Sequence, residues 1–267
     1  MKYCRFQLNE QAHYGLVESV AGSEQVTRLL LEPPEAASED LEDLPTKRMD
    51  HIPLADAPLL CPVRPSKIVC VGRNYRDHAA ELGNEVPKEP MIFLKPPSSI
   101  VGPDEAIVLP RYSQRVEHEA ELAIVIGRQC SHLRDSDDSL SYVLGYTCAN
   151  DVTARDLQKA DVQFTRAKGF DTFCPIGPHI ETELDPANVV VEARVNGRLC
   201  QSGSTALVIY PCAFLVRWIS RMMTLLPGDV ISTGTPSGVG PLTPNDTVEV
   251  SVTGIGVLRN PVHAAQA

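Results

Sequence analysis

Clustered positive charge is the first thing this 267-residue chain lacks. Lys and Arg number 24 against 34 Asp and Glu, a formal net charge of −10. With no basic run to displace counterions from phosphates, nucleic acid is excluded as a partner. The same balance makes the chain a poor match for an anionic membrane. Long apolar runs are missing too. The longest, Ala206 to Val216, falls short of the roughly 20 residues of a membrane helix and contains Pro211. The opening Met-Lys-Tyr-Cys-Arg-Phe-Gln has no apolar core of a signal peptide. Paired cysteines are absent as well. Cys4, Cys61, Cys70, Cys130, Cys148, Cys174, Cys200 and Cys212 include no Cys-x-x-Cys, which excludes a zinc ribbon or a thioredoxin-like motif. Most have apolar neighbours, as buried free thiols do. A chain of this size needs no disulfide, so a reducing cytoplasm is expected. There are no internal repeats and no low-complexity tracts.

Apolar residues make up 43% of the chain, an ordinary globular share, and 22 Pro with 17 Gly favour many turns and a β-rich fold. Tyr3 to Leu8 and Tyr14 to Val20 alternate like small strands. Ser38 to Asp43 reads as a loop or a short acidic helix. His51 to Arg64 is Pro-rich and reads as an extended linker, which places a boundary near residue 64. Beyond it, Ile68 to Gly72, Met91 to Leu94, Ile107 to Leu109, Leu122 to Ile126, Tyr142 to Ala149 and Val189 to Val195 predict strands. Asn196-Gly197 follows the last of these as a hairpin turn. Asp77 to Leu82 predicts a helical turn stopped by Gly83, and Ala213 to Leu226 a helix ended by Pro227-Gly228. Val230 to Ser232, Thr247 to Val252 and Gly256 to Leu258 are expected to close a sheet. Strands dominate, so residues 65–267 are expected to form a mostly β sandwich, roll or barrel with few helices.

The most informative stretch is Val116-Glu117-His118-Glu119-Ala120-Glu121-Leu122, running into Ala-Ile-Val-Ile. On a strand, Glu117, Glu119 and Glu121 project to one face about 6.5–7 Å apart, close enough for their side chains to converge on a cation. Acids are depleted in strands, and unpaired buried carboxylates cost several kcal/mol each. A divalent metal and a solvated acidic strand edge both fit this segment. Asp151 ends the Tyr142–Ala149 segment either as a further ligand or as a helix N-cap. Three carboxylates without Cys or paired His would select a hard cation, Mg²⁺ or Mn²⁺. His78 and Glu81 are i, i+3 partners on a helical turn. They read as an imidazole base oriented by a carboxylate or as a surface pair. Lys168 lies between small residues near a turn and reads as a donor to a carboxylate or enolate oxygen or as a surface lysine. Arg155 and Gln158 follow Asp151 at i, i+3 spacing. The Gly-rich loop Thr233 to Pro241 lacks the lysine of a phosphate loop, which excludes nucleotide binding. It is expected to offer Thr hydroxyls and backbone N–H groups to a small acid.

Taken together, Gly72-Arg73-Asn74-Tyr75-Arg76-Asp77-His78-Ala79-Ala80-Glu81, Phe93-Leu94-Lys95-Pro96, Glu119-Ala120-Glu121-Leu122, Asn150-Asp151-Val152-Thr153-Ala154-Arg155-Asp156-Leu157-Gln158, Lys168-Gly169-Phe170-Asp171 and Thr233-Gly234-Thr235-Pro236 occur in an order that resembles the catalytic domain of the fumarylacetoacetate hydrolase family. The resemblance spans about residues 65–263. It implies a mixed β-sandwich roll preceded by a small, variable N-terminal α/β region in residues 1–64. It further implies Glu119, Glu121 and Asp151 as ligands of Mg²⁺ or Mn²⁺, with Ca²⁺ also used in the family. By the same resemblance His78 and Glu81 form a water-activating dyad on a short lid, and Lys168 stabilises negative charge. Arg155, Gln158 and Thr235 contact substrate, and the protein is a homodimer. The implied reaction is metal-dependent C–C bond hydrolysis of a β-diketo or 2-oxo acid such as an acylpyruvate, through an enolate. Oxaloacetate decarboxylation and tautomerisation or isomerisation of 2-hydroxydienoate acids share that enolate. A non-catalytic cation-binding protein would need none of His78, Glu81 and Lys168. Two departures, Cys200 where many members carry Arg and Leu207-Val208 in place of a polar–Met pair, bear on substrate preference.

Overall fold

The computed structural model describes residues 1–36 and 44–265, so the acidic stretch Ser38 to Asp43 lies outside the described residues. The first strands are β1 (Lys2–Leu8), β2 (Gln11–Val20), β3 (Ser23–Leu30), β4 (Thr46–Pro53) and β5 (Leu59–Leu60). They are followed by β6 (Ile68–Gly72), helix α1 (Arg76–Glu81), β7 (Met91–Lys95), β8 (Ile100–Val101), β9 (Ile107–Leu109), β10 (Val116–His118) and β11 (Ala120–Ile126). Next come β12 (Val143–Asn150), β13 (Thr153–Ala154), α2 (Arg155–Ala160), α3 (Thr165–Lys168), β14 (Cys174–Glu181), β15 (Val190–Val195) and β16 (Arg198–Ser204). The chain ends with α4 (Cys212–Ser220), β17 (Val230–Ser232), β18 (Gly240–Pro241), β19 (Thr247–Val252) and β20 (Gly256–Ala264).

The fold is mostly β, with mixed sheets and few helices. The large sheet runs β4-β3-β2-β1-β14-β12-β11-β17-β6-β7, with β5 added on β1 and β8 on β14. A five-stranded sheet, β16-β15-β19-β20-β9, packs over it, and β13-β10-β18 form a small third sheet. Strand β11 is buried along its whole length. Its alternate residues serve two cores, as period two requires. Leu122, Ile124 and Ile126 join α4 and the five-stranded sheet, while Ala123 and Val125 face Cys174, Ile176 and Ile180 of β14. Each buried Leu or Ile contributes about 1.5–3 kcal/mol relative to exposure, so β11 is a rigid mount for the acids at its start.

The N-terminal strands continue the same sheet through the pairing Lys2↔Glu181 and Tyr3↔Ile180. Among the described residues, 1–64 hold strands and short 3₁₀ turns. The Pro-rich stretch expected as a linker contains the end of β4 and also β5, which pairs with β1 at Arg5↔Leu60. The Asn196-Gly197 hairpin forms as expected, with φ of 51° and 77°, the left-handed pair that a two-residue turn requires.

Two sequence expectations are corrected. The helix expected to reach Leu226 ends at Ser220. Leu225 instead exchanges backbone hydrogen bonds with Cys130 at 2.9 and 3.0 Å and is fully buried, so tertiary pairing overrides helix propensity there. The last three strands do not close one sheet. β17 lies parallel to β6 inside the large sheet, while β19 and β20 belong to the five-stranded one.

Candidate active site

Strands β11 and β12 run antiparallel with Ala120 opposite Asn150 and Glu121 opposite Ala149. The Asp151 N–H donates to the Glu119 carbonyl at 2.9 Å, and the Asn150 side chain accepts from the Glu119 N–H at 2.9 Å. This zipper sets the acid just past the end of β12 beside the two acids at the start of β11. Glu119, Glu121 and Asp151 are all buried and present carboxylate oxygens within 4.8 Å of one another. Glu121 Oε2 is fixed by the Ser232 hydroxyl at 2.5 Å and the Gly234 N–H at 2.7 Å. Gly234 has φ of 99°, and a Cβ there would lie 2.6 Å from that of Asn74, so both backbone shape and space require glycine.

Glu117 does not join the three. The strand breaks at Glu119: residues 116–118 pair with β13 and β18, and the next residues enter the large sheet. Glu117 instead accepts from Arg155 Nε at 2.6 Å and Arg115 Nε at 2.5 Å. Arg155 also donates through Nη2 to Glu119 and through Nη1 to Gln158 at 2.5 Å.

Two buried ammonium groups complete the cluster. Lys168 Nζ lies 2.8 Å from Glu119 Oε2 and 2.5 Å from Asp151 Oδ2. Lys95 Nζ donates to the carbonyls of Val152, Lys168 and Phe173 at 3.0, 2.6 and 2.7 Å. It stands 2.8 Å from Asp151 Oδ1 as a charge contact, but its three hydrogens are already committed, and that oxygen accepts no hydrogen bond.

These contacts separate the acids electrostatically. Burial alone would raise Glu119, but the charges of Lys168 and Arg155 outweigh it and hold the carboxyl well below the usual range. Glu121 has no such partner. Burial first, then the charges of Asp151 and Glu119, push it up to about 8. Burial opposes the charge on Lys168 too, yet Asp151 and Glu119 keep the ammonium firmly protonated. Three converging buried carboxylates, one crowded by its neighbours and one with an oxygen lacking a donor, suit a hard divalent cation.

His78 is buried on α1, with Nδ1 3.2 Å from Glu81 Oε2. Glu81 Oε1 accepts from the Gly238 N–H at 3.0 Å, and the Tyr210 hydroxyl donates to the Pro87 carbonyl at 2.8 Å, so the segment bearing the dyad is docked at both ends. His78, Glu81, Glu119, Glu121, Asp151, Arg155, Gln158, Lys168 and Thr235 all line one cavity of about 540 Å³. The Thr235 hydroxyl is committed inside the protein. It donates to the Ala120 carbonyl at 2.8 Å and accepts from Gln201 Nε2 at 2.8 Å. The Thr233 hydroxyl likewise donates to the Leu122 carbonyl. The loop expected to offer hydroxyls to an acid therefore uses them to brace β11.

Sequence reasoning missed the tasks of Lys95 and Gln201. Lys95 had a signal, a lysine ending an apolar strand, but its carbonyl partners are remote in sequence. Gln201 is buried on β16. Its Oε1 lies 3.0 Å from the Ala120 N–H and 2.9 Å from His118 Nδ1, and its Nε2 donates to the Pro236 carbonyl as well as to Thr235. Cys200, Leu207 and Val208 do not line the cavity.

Residues 67–263 match the family model described as fumarylacetoacetate (FAA) hydrolase C-terminal, and residues 1–62 match one described as Rv2993c-like, N-terminal. The chain is 45% identical over 224 residues to the Homo sapiens protein named oxaloacetate tautomerase FAHD2A, mitochondrial, covering 79% of this chain and 71% of that protein. A crystal structure of 5-carboxymethyl-2-hydroxymuconate delta-isomerase from Mycobacterium smegmatis superposes with a TM-score of 0.88 at 43% identity, over 99% of this chain and 100% of that one. A fumarylacetoacetate hydrolase from Exiguobacterium antarcticum does so with a TM-score of 0.82 at 41% identity, over 99% and 100% of the two chains. No helix among the described residues is long and apolar enough to cross a membrane. The order of motifs, the sheet architecture and the match across the catalytic region agree: the chain belongs to the fumarylacetoacetate hydrolase family.

Proposed function

We propose that this protein is an enolising enzyme. It moves a proton at the carbon beside the ketone of a 2-oxo acid, interconverting keto and enol forms. Glu119, Glu121 and Asp151 would hold Mg²⁺ or Mn²⁺. The observation that carries the reading is the presence, in one cavity, of three converging buried carboxylates, a buried ammonium between two of them, and an imidazole–carboxylate dyad. A bound divalent cation would supply Lewis acidity to the ketone and carboxylate oxygens of the substrate.

The remaining work falls to the chain's own side chains. Glu81 accepts from His78 Nδ1, which leaves the lone pair on Nε2 to take a proton from carbon and return it. Lys168 has two hydrogens committed to Glu119 and Asp151 and a third free to donate to an oxygen gaining negative charge. Arg155 is pre-set by Glu117, Glu119 and Gln158, so its remaining N–H groups meet substrate without reorganisation. The relatives named as a tautomerase and an isomerase support proton transfer as the net reaction.

C–C bond hydrolysis is the second reading. The same dyad would take its proton from water instead of carbon, and the relative named as a hydrolase supports it. Eight free thiols support a reducing, cytoplasmic setting. The test is parallel turnover with Mg²⁺ of enol-oxaloacetate, followed by loss of enol absorbance, and of an acylpyruvate, followed by release of its carboxylic acid. Enol loss without acylpyruvate cleavage is expected. Cleavage at the faster rate would replace tautomerisation by hydrolysis.

A further inference from the structure

Gln201 on β16 is buried and does not line the cavity. All four hydrogen-bonding positions of its amide are filled. Oε1 accepts from the Ala120 N–H at 3.0 Å and faces His118 Nδ1 at 2.9 Å, while Nε2 donates to the Thr235 hydroxyl and the Pro236 carbonyl at 2.8 and 2.7 Å. A backbone N–H can only donate, so the atom beside Ala120 is the amide oxygen, and His118 Nδ1 carries its proton. The Thr235 hydroxyl passes its own hydrogen to the Ala120 carbonyl, which closes a ring between β16, β11 and the loop of residues 233–241.

The two ends of that loop are held independently. Thr233 is tied to the Leu122 carbonyl through its N–H and its hydroxyl, and Gly234 to Glu121. Gly240 and Pro241 pair with His118 and Glu117. Between these anchors Gln201 holds Thr235 and Pro236, and Gly238 lies against the same strand, where a Cβ would run into the Cys200 carbonyl oxygen. That seating aims the Gly238 N–H at Glu81 Oε1, while Glu81 Oε2 meets His78. The middle of the loop therefore supports the dyad. The acid cluster has its own supports, Ser232 and Gly234 for Glu121 and Lys168 for Glu119 and Asp151.

We propose that Gln201 is a positioning residue: from outside the cavity it fixes the part of the loop on which Glu81 rests, and so keeps the His78–Glu81 dyad in register with the acid cluster. The assignment rests on the enolising reading above for the proton-transfer task of the dyad. A misplacement of about 1 Å at a reacting group can cost about a hundredfold in rate. Removing the amide would leave the Ala120 N–H and the Pro236 carbonyl without their partner and free the loop to shift. The expected signature is a loss in kcat with KM and metal affinity unchanged, because Gln201 neither lines the cavity nor belongs to the three converging carboxylates.

The test is Gln201→Met, which roughly keeps length and volume and removes the amide. With Mg²⁺, kcat for enol-oxaloacetate should fall about ten- to a hundredfold, while KM, and Mn²⁺ affinity measured by electron paramagnetic resonance, stay at wild-type values. Amide hydrogen exchange should quicken in residues 235–240 and 76–81 and stay unchanged in β12 and in β11 beyond Ala120. In a Glu81→Gln background the same substitution should cost little further rate, since both changes act through one carboxylate. Gly238→Ala, which drives the loop off β16 with Gln201 intact, should repeat the pattern and decides the question if Gln201→Met does not fold. Wild-type kcat and exchange in either variant, a rate loss undiminished in the Glu81→Gln background, or a matching loss of Mn²⁺ affinity overturns the assignment. A wild type inert toward enol-oxaloacetate would sink the enolising reading, and hydrogen exchange with Mn²⁺ binding would still decide the role of Gln201.

Discussion

Replacing Lys168 by Met tests whether the acid cluster is held by charge. The substitution roughly keeps length and apolar volume but removes an ammonium that is almost fully buried between Glu119 and Asp151, at 2.8 and 2.5 Å. Deleting one partner of a buried ion pair costs about 3–5 kcal/mol where the remaining charge is left uncompensated; here Glu119 keeps Arg155 and Asp151 keeps the charge of Lys95, so the low end, about 3 kcal/mol, applies. For a chain of this size about 2–4 °C of melting temperature accompanies each kcal/mol, so a drop of about 6–12 °C is expected in chelator. Lys168 neutralises two of the three carboxylates that would hold a divalent cation and repels its charge, so the variant should bind Mg²⁺ more tightly than wild type. Metal at about 100 times its dissociation constant returns roughly 2.7 kcal/mol by mass action. Thermal unfolding in EDTA and in excess Mg²⁺ gives both numbers. A variant melting within about 2 °C of wild type in EDTA, or one gaining less from Mg²⁺ than wild type does, would refute the charge-clamp reasoning.

Three further expectations follow from the geometry. Glu119→Ala should abolish Mn²⁺ binding measured by electron paramagnetic resonance and abolish metal-dependent turnover while the chain stays folded; full activity would remove Glu119 from the ligand set. His78→Ala should lower the tautomerisation of enol-oxaloacetate by about 10²–10⁴ and leave Mn²⁺ binding unchanged, since His78 is not among the three converging carboxylates; tautomerisation at the wild-type rate would end its proton-transfer role. His179 on β14 is buried with neither ring nitrogen hydrogen-bonded, and burial followed by the charge of Lys2 lowers it to about 4. Its folded value lies below the unfolded one near 6.5, so the unfolded chain binds the extra proton, and stability present above about pH 6.5 is lost as pH falls toward 4. His179→Leu should flatten that acid-side loss in urea unfolding at pH 7 and 4.5, and an identical loss in both proteins would contradict it.

The acids were legible because their signals are local. Two carboxylates at period two before an apolar strand, and a third just past another strand, point to the cluster without any tertiary information. Glu117 shares the period but not the site, because the break at Glu119 depends on pairing with Thr153 and Pro241, which no local pattern shows. Lys95 and Gln201 act only through partners brought together by the fold. The end of α4 was misjudged for the same reason, since Leu225 is taken by Cys130 on another segment. The mostly β class was legible from alternation and turn residues. The division of β17, β19 and β20 between two sheets was not, because each has the same alternation whichever sheet it enters.

The short pairing of β1 with β14 has a consequence for association. Strand β14 has main-chain neighbours on both sides near Ile180 and Glu181 because Tyr3 and Lys2 lie along it. Beyond β1 the sheet continues through β2 and β3 to β4, whose surface carries Lys47, Arg48 and Asp50 and whose last residue is Pro53. Charges and proline are what keep a free strand edge from recruiting another chain. Without the first 62 residues, the catalytic region would end on β14, whose N–H and C=O groups near Ile180 would be open and flanked by apolar side chains. The N-terminal strands therefore protect solubility by moving the sheet's border from a sticky strand to a charged one, and their removal should cause self-association before it disturbs the acid cluster.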